Sequence, residues 1–447
     1  MPNAEIETLL RQVLTDSITS EETTRLRRSD LSFPFPEPTT LEETGLSEAL
    51  VESLILKYLL NCNTATGRQI ANQIGLPQVV ISDLVRRLKT DQFIVYRNSA
   101  GVSDFTHELT DAGRSRALRL SKERTYFGAA PITMEDYCIG VAGQSPHNDK
   151  PSASRLRAAL DGLEVSADIF SRLGQAVSAV GPLFLHGAPG NGKSSLAERI
   201  TGAFGPSIWV PKALDVDGEI VRLYDPTVHE RISGAELEQL PKDVDRRWVC
   251  IRRPTLIVGG ELTLENLEFG IDARTGGIEA PLHLKSNCGT LVIDDFGRQR
   301  ASARDLLNRW IVPLEKRCDY LTTPSGKKIC VPFDQLIVFA TNLEPKELVD
   351  EAFLRRVPYK IGVNDPTEAE FRAVFRELSE KLEIEYADEP LNHLIEHHYE
   401  AVDRPLRFCH PRDLLLQVRN YCDFHEQRVE LTIDAIESAV ANYFGQL

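Results

Sequence analysis

One run constrains this chain more than any other: Leu183-Phe184-Leu185-His186-Gly187-Ala188-Pro189-Gly190-Asn191-Gly192-Lys193-Ser194-Ser195. It opens as a buried strand, passes through a glycine-rich turn, and enters the helix formers Leu196-Ala197-Glu198-Arg199-Ile200. The spacing fits G-x-x-x-x-G-K-[ST], a loop that cradles phosphate. Gly187, Gly190 and Gly192 allow a tight turn whose successive N–H groups point inward as an anion nest. The following helix adds its positive dipole end beneath the same point. Lys193 supplies a charge that reaches the β- and γ-phosphates of a nucleotide, and the Ser194 hydroxyl suits Mg²⁺.

The rest of the sequence sets limits. A chain of 447 residues, 42% of them apolar, can build two or three ordinary cores. Its net charge of −15 argues against a protein that coats polyanions along its whole length. Its eight cysteines show no C-x-x-C spacing, so neither a zinc ribbon nor a disulfide framework is indicated, and free thiols fit a reducing cytoplasm. The opening Met1-Pro2-Asn3-Ala4-Glu5 has no signal-peptide character. No stretch approaches the roughly 18 apolar residues of a membrane span.

Residues 1–46 form an acidic arm or linker with four basic residues against nine acidic ones. A short amphipathic helix is expected around Ile6–Val13, and the prolines of Phe33-Pro34-Phe35-Pro36-Glu37-Pro38 forbid one there. Residues 47–125 read as helix, helix, helix, hairpin, helix. The segments are Leu50–Leu60, Thr66–Ile74, a helix opened by Pro77, the strands Phe93–Tyr96 and Phe105–Leu109 around a turn at Asn98–Gly101, and a basic helix capped by Thr110. This is the order of a winged helix. The module is basic, with 11 Lys/Arg against 8 Asp/Glu. Arg86, Arg87, Lys89 and Arg97 suit DNA, whereas Asp83 and Asp91 weaken that reading. DNA contact and protein contact both stay open. Residues 126–155 read as a connector rich in Gly, Ser, Pro and Asn.

Residues 156–363 hold the chemistry. Pro206–Tyr224 suggests strands and Ser233–Asp243 a polar insertion. Gly289-Thr290-Leu291-Val292-Ile293-Asp294-Asp295 reads as a buried parallel strand presenting carboxylates at its end. Asp294 suits Mg²⁺ and Asp295 an attacking water. Leu336-Ile337-Val338-Phe339-Ala340-Thr341-Asn342 is a second such strand ending in a polar pair. Arg355-Arg356 follows, and Cys409-His410-Pro411-Arg412-Asp413 opens a helix in a helical tail, residues 364–447.

This ordered set resembles the AAA+ ATPases over residues 156–447. Gly187–Ser194 matches their Walker A loop and Ile293-Asp294-Asp295 their Walker B strand. Thr341-Asn342 resembles sensor 1, Arg355-Arg356 the arginine finger, and Arg412 the sensor 2 arginine of the lid. The resemblance implies a doubly wound parallel-sheet P-loop NTPase core with a helical lid, here preceded by a small winged-helix domain. It implies ATP and Mg²⁺ as cofactors, ATP hydrolysis, and a homo-oligomeric ring, a hexamer for this family, that remodels a protein or nucleic-acid client. The rival readings are a DNA-associated ATP-dependent regulator and an ATP-dependent scaffold with little turnover.

Two departures stand out. Asp295 occupies the place of the family's catalytic Glu, which points to slow turnover. The long stretch between the Walker motifs implies an insertion. Tyr320-Leu321-Thr322-Thr323-Pro324-Ser325-Gly326-Lys327-Lys328-Ile329-Cys330-Val331 reads as a hairpin, similar to the pre-sensor-1 hairpin of one AAA+ branch. Its tip lysines, Lys327 and Lys328, suit DNA or a protein in a pore, or simply solvent. His393-Leu394-Ile395-Glu396-His397 fits the zinc-protease pattern H-x-x-E-H. It falls on a lid helix whose Leu394 and Ile395 should pack inward, so it reads as coincidence.

Overall fold

The computed structural model describes residues 33–101, 104–241, 243–348 and 351–445. The helix expected around Ile6–Val13 lies outside the described residues.

Ser47 caps the helix Glu48–Cys62 by accepting the Leu50 N–H. A short strand β1 (Thr64–Thr66) leads into the helix Gly67–Ile74, closed by a Thr66–Gln69 capping box at one end and by Gly75 at φ +70° at the other. The helix Gln78–Thr90 follows, then β2 (Ile94–Gly101), β3 (Asp104–Leu109) and the helix Asp111–Glu123, capped by Thr110. The strand order is β1-β3-β2. Asn98–Gly101, expected as a turn, instead extends β2 with register shifts between Tyr96 and Gly101. Strand β1 has no periodic signal in the sequence, because three residues cannot show one.

The remaining strands follow in chain order: β4 (Ile132–Thr133), β5 (Leu183–His186), β6 (Ser207–Pro211), β7 (Ala213–Val216), β8 (Glu219–Arg222), β9 (Trp248–Arg252) and β10 (Thr255–Val258). Then come β11 (Gly270–Ile271), β12 (Ile278–Glu279), β13 (Thr290–Ile293), β14 (Cys318–Thr322), β15 (Lys328–Pro332), β16 (Leu336–Thr341) and β17 (Tyr359–Gly362). Five of them form an all-parallel sheet in the order β10-β13-β16-β5-β17. The protein is α/β, and both faces of this sheet are covered. Leu183, Leu185, Val292, Leu336 and Val338 face the helices Ala167–Ala179 and Lys193–Arg199. Their neighbours Phe184, Leu291, Ile293, Ile337 and Phe339 face the helix Ala303–Lys316 and its fully buried Trp310. Alternate residues on opposite faces, both of them dry, explain why these strands read as unbroken apolar runs.

A second, mixed sheet has the order β11-β12-β8-β7-β4, flanked by the antiparallel pairs β6–β9 and β14–β15. Most of it comes from the stretch between the two Walker-like motifs. Residues 126–155, read as a connector, contribute β4 and the helix Met134–Gln144. Ile132, Tyr137 and Val141 are buried against this sheet. The aromatic pair of the N-terminal arm packs there too: the half-buried Phe33 meets Trp248 edge-on at 5.3 Å, and Phe35 is fully covered.

The N-terminal module docks onto the same sheet. Its core runs on through Ala130 into Ala213 of β7 and Ile220 of β8. The fully buried Arg247 pairs with the equally buried Asp245 at 2.7 Å and donates to the carbonyls of Pro131 and Thr44. Four further helices, Glu368–Lys381, Asp388–His398, His410–Phe424 and Ile433–Phe444, close on a core of their own around Phe371, Phe375, Leu394 and Leu414.

Candidate functional site

Strands β13, β16 and β5 are neighbours, and their C-terminal ends deliver Asp294, Asn342 and the glycine-rich loop to one edge of the sheet. Open parallel sheets bind ligands at this edge. The loop turns where its glycines require it. Gly187 (φ +144°) passes so close to Val363 that a Cβ would lie 2.3 Å from the Val363 carbonyl oxygen. Gly190 adopts φ +85° and Gly192 φ +81°, and Gly192 has open space where a side chain would stand. Gly192 then starts the helix Lys193–Arg199.

The Lys193 ammonium is buried and donates to the carbonyls of Gly187 (3.0 Å) and Ala188 (2.8 Å). Burial holds its pKa below the ordinary lysine value, against the pull of Asp294 and Asp295. The Ser194 hydroxyl lies 2.8 and 3.0 Å from the two carboxylate oxygens of Asp294. Two hard oxygen donors thus converge at the head of the loop, the donor set that suits Mg²⁺. Ala188, Pro189 and Ser195 complete the loop, Pro189 on its exposed side.

Asp295 leaves the strand in the left-handed region at φ +47°, a conformation that Asp tolerates better than most residues. There its carboxylate is exposed and accepts a bond from the Asn342 amide at 3.0 Å. Gln299 holds this turn in shape: its amide donates to the Asp294 and Asp295 carbonyls and its oxygen accepts the Gly297 N–H. Nothing local in the sequence signals this brace.

The arginines are distributed differently from expectation. Arg356 is mostly covered and bonds Glu315 at 2.6 Å, whereas Arg355 is exposed. The fold thus ties Arg356 to Glu315 of the same chain and leaves Arg355 on the surface. Arg412 is also exposed and bonds its neighbour Asp413 at 3.1 Å. The arginine of the C-terminal helical region that stands beside the loop is Arg407. It pairs with Asp365, which in turn accepts from the buried Asn191 amide at 2.6 Å. The same region also touches the loop through Cys409, whose N–H donates to the Gly190 carbonyl at 2.9 Å. The sequence placed none of Asp365, Arg407 or Cys409 in the site. The only available signal was a position shortly before the helix that Arg412 occupies.

The remaining expected contacts are engaged within the chain. Lys327 pairs with Asp217 on the β7–β8 turn, and the Ser325 N–H donates to Glu219 at 3.1 Å, so the hairpin tip rests on the mixed sheet while Lys328 stays exposed. Arg86 pairs with Asp83, Arg87 with Glu48 and Arg97 with Glu108, and Lys89 sits 3.6 Å over the Tyr96 ring. All eight cysteines are free thiols. Among the described residues, no helix is long and apolar enough to cross a membrane.

A family model described as "Domain of unknown function (DUF8689)" matches residues 367–442, the four-helix region. No curated protein matches the chain. Solved structures similar to it include NtrX from Brucella abortus in complex with ADP, at 13% identity and TM-score 0.38, covering 72% of this chain and 64% of that one. The Thermotoga maritima RuvB Holliday junction branch migration motor is similar at 14% identity and TM-score 0.38, covering 64% of this chain and 72% of that one. This chain therefore spans less than two thirds of the NtrX chain. Likeness at this level transfers no function.

Proposed function

We propose that this chain is an AAA+ ATPase, and that it couples ATP binding and slow hydrolysis to remodelling of a macromolecular client. The observation that carries this reading is the convergence of Lys193, Ser194, Asp294 and the Asn342–Asp295 pair on one edge of the parallel sheet. Lys193 would exchange its loop carbonyls for the β- and γ-phosphates. The Ser194 hydroxyl and Asp294 carboxylate would hold Mg²⁺, which neutralises charge on the phosphate oxygens when bound. Asp295, held by Asn342, would orient the water in line with the γ-phosphate. Catalysis of this kind is mostly positioning and charge stabilisation. A carboxylate one methylene shorter than Glu sits on the order of 1 Å back, a displacement that can cost about a hundredfold in rate. The reading is therefore a switch that dwells in its ATP state.

Arg355, exposed beside the tethered Arg356, is the better candidate for a finger acting on a neighbouring subunit in a hexameric ring. Arg407 is the better candidate for the lid arginine. The winged-helix module, residues 47–125, acts as a protein-docking adaptor in this reading, because Arg86, Arg87, Lys89 and Arg97 are engaged within the chain and the module shares a core with the mixed sheet. Residues 156–363 form the ATPase core and 364–447 the lid. The free thiols suit a cytoplasmic setting.

Single-turnover phosphate release tests the core of the proposal. Asp295→Asn should keep ATP affinity and stop release, while Asp294→Asn should lose Mg²⁺ dependence. Release from Asp295→Asn at the parent rate would show that this carboxylate does not orient the water. For the ring, mixing Lys193→Ala with Arg355→Ala subunits should restore part of the turnover.

A further inference from the structure

We propose that the lid carries a binding site for a divalent transition metal of the zinc class, formed by His393, His398 and Glu437. The H-x-x-E-H run pointed at His393, Glu396 and His397, but the fold assembles a different set. His393 and His398 stand on the helix Asp388–His398, and Glu437 reaches across from the helix Ile433–Phe444. The two Nε2 atoms lie 2.6 and 2.7 Å from the same Glu437 oxygen, Oε1. One ligand atom from each of the three residues falls within 4.8 Å of the others. His397 instead stacks on the His393 ring at 4.3 Å and turns its Nδ1 toward the His393 carbonyl.

The alternative is a carboxylate that accepts two ordinary hydrogen bonds. The geometry is one step from coordination. Zinc takes nitrogen and carboxylate oxygen at about 2.0–2.2 Å, so tetrahedral ligand atoms stand about 3.4 Å apart. The Glu437 oxygen would have to withdraw by roughly 0.7 Å to admit such an ion. Glu437 is 47% exposed and free to do so, while the imidazoles are 24% and 21% exposed and sheltered by their helix. Two imidazoles and one carboxylate select zinc and its borderline neighbours over Mg²⁺, which prefers oxygen alone. The site is thereby distinct from the Ser194–Asp294 pair. Three protein ligands leave a fourth position for water on the solvent side.

The ion would join two helices that are far apart in sequence. The second of them also carries Tyr443, whose hydroxyl donates to Asp413 at 2.9 Å on the helix that begins beside Cys409. A bound metal would therefore stiffen the part of the lid that meets the phosphate loop at Gly190. The role is structural, and the inference stands whether or not the chain hydrolyses ATP.

The test uses the full chain, stripped with a chelator and titrated calorimetrically with Zn²⁺ in excess Mg²⁺. One equivalent should bind. His393→Ala, His398→Ala and Glu437→Gln should each weaken it about tenfold or more, and His397→Ala should leave it close to the parent. Co²⁺ in place of Zn²⁺ should give visible bands without the near-ultraviolet thiolate transition. Glu437→Gln preserves size and packing, so it tests the site without endangering the fold. Unchanged affinity in His398→Ala or Glu437→Gln, a thiolate band, or binding no tighter than millimolar would overturn the proposal.

Discussion

The parallel sheet and the mixed sheet bury their cores by opposite routes. All six residues of β16 are buried, as are all four of β13, and both strands stand in the sequence as unbroken apolar runs. The mixed sheet is assembled from pieces as short as Ile132–Thr133, Gly270–Ile271 and Ile278–Glu279, drawn from both sides of the phosphate loop. A strand buried on both faces announces itself locally. A strand of two residues is defined by its partner, and the partner lies elsewhere in the chain. The parallel sheet positions the proposed nucleotide site, while the mixed sheet gathers the arm, the N-terminal module and the β14–β15 hairpin onto one body.

The largest effect should come from cutting the joint between them. Arg247→Ala leaves the buried Asp245 carboxylate and the Pro131 and Thr44 carbonyls without their shared donor. Removing one partner of a buried pair costs about 3–5 kcal/mol. Denaturant titration should show an early transition for the N-terminal module. A single transition at the parent midpoint would mean that the mixed sheet does not depend on this pair.

Lys193→Ala should do the reverse, leaving stability near the parent and weakening ATP about a hundredfold, or about 2.7 kcal/mol. Fluorescence titration measures this, and unchanged affinity would remove the loop from the site.

A finer contrast lies within the lid. Arg407→Ala should weaken ATP about tenfold, about 1.4 kcal/mol, because Arg407 and Asn191 meet at Asp365. Arg412→Ala should match the parent. The opposite ranking would restore Arg412 as the lid arginine.

The narrowest effect concerns Lys57. Its ammonium is buried and donates to the carbonyls of Arg124 (2.7 Å) and Tyr126 (3.3 Å), which fix the exit from the N-terminal module. Burial lowers its pKa to about 8, from 10.5. Between these values the unfolded chain binds more protons than the folded one, so this residue makes stability rise as pH climbs from 8 toward 10.5. Below that window its cost is fully present. Lys57→Met should flatten this rise; an unchanged slope would assign it to other groups.

The sequence by itself determined whatever is local in cause. Three glycines at fixed spacing make an anion nest, and consecutive apolar residues make parallel strands that end in Asp294 and Asn342. Thr66, Thr110 and Thr432 cap their helices through bonds that reach only three residues along the chain. Leu394 and Ile395 face inward as helical spacing requires. Only the tertiary structure decided the rest. It placed Arg407 rather than Arg412 beside the loop, tied Arg356 to Glu315, set Gln299 under the turn, and brought Glu437 to His393 and His398. Each of these depends on where one element crosses another. A side chain's period along its own helix or strand carries no record of the neighbour it will meet, and packing against distant segments settles that choice.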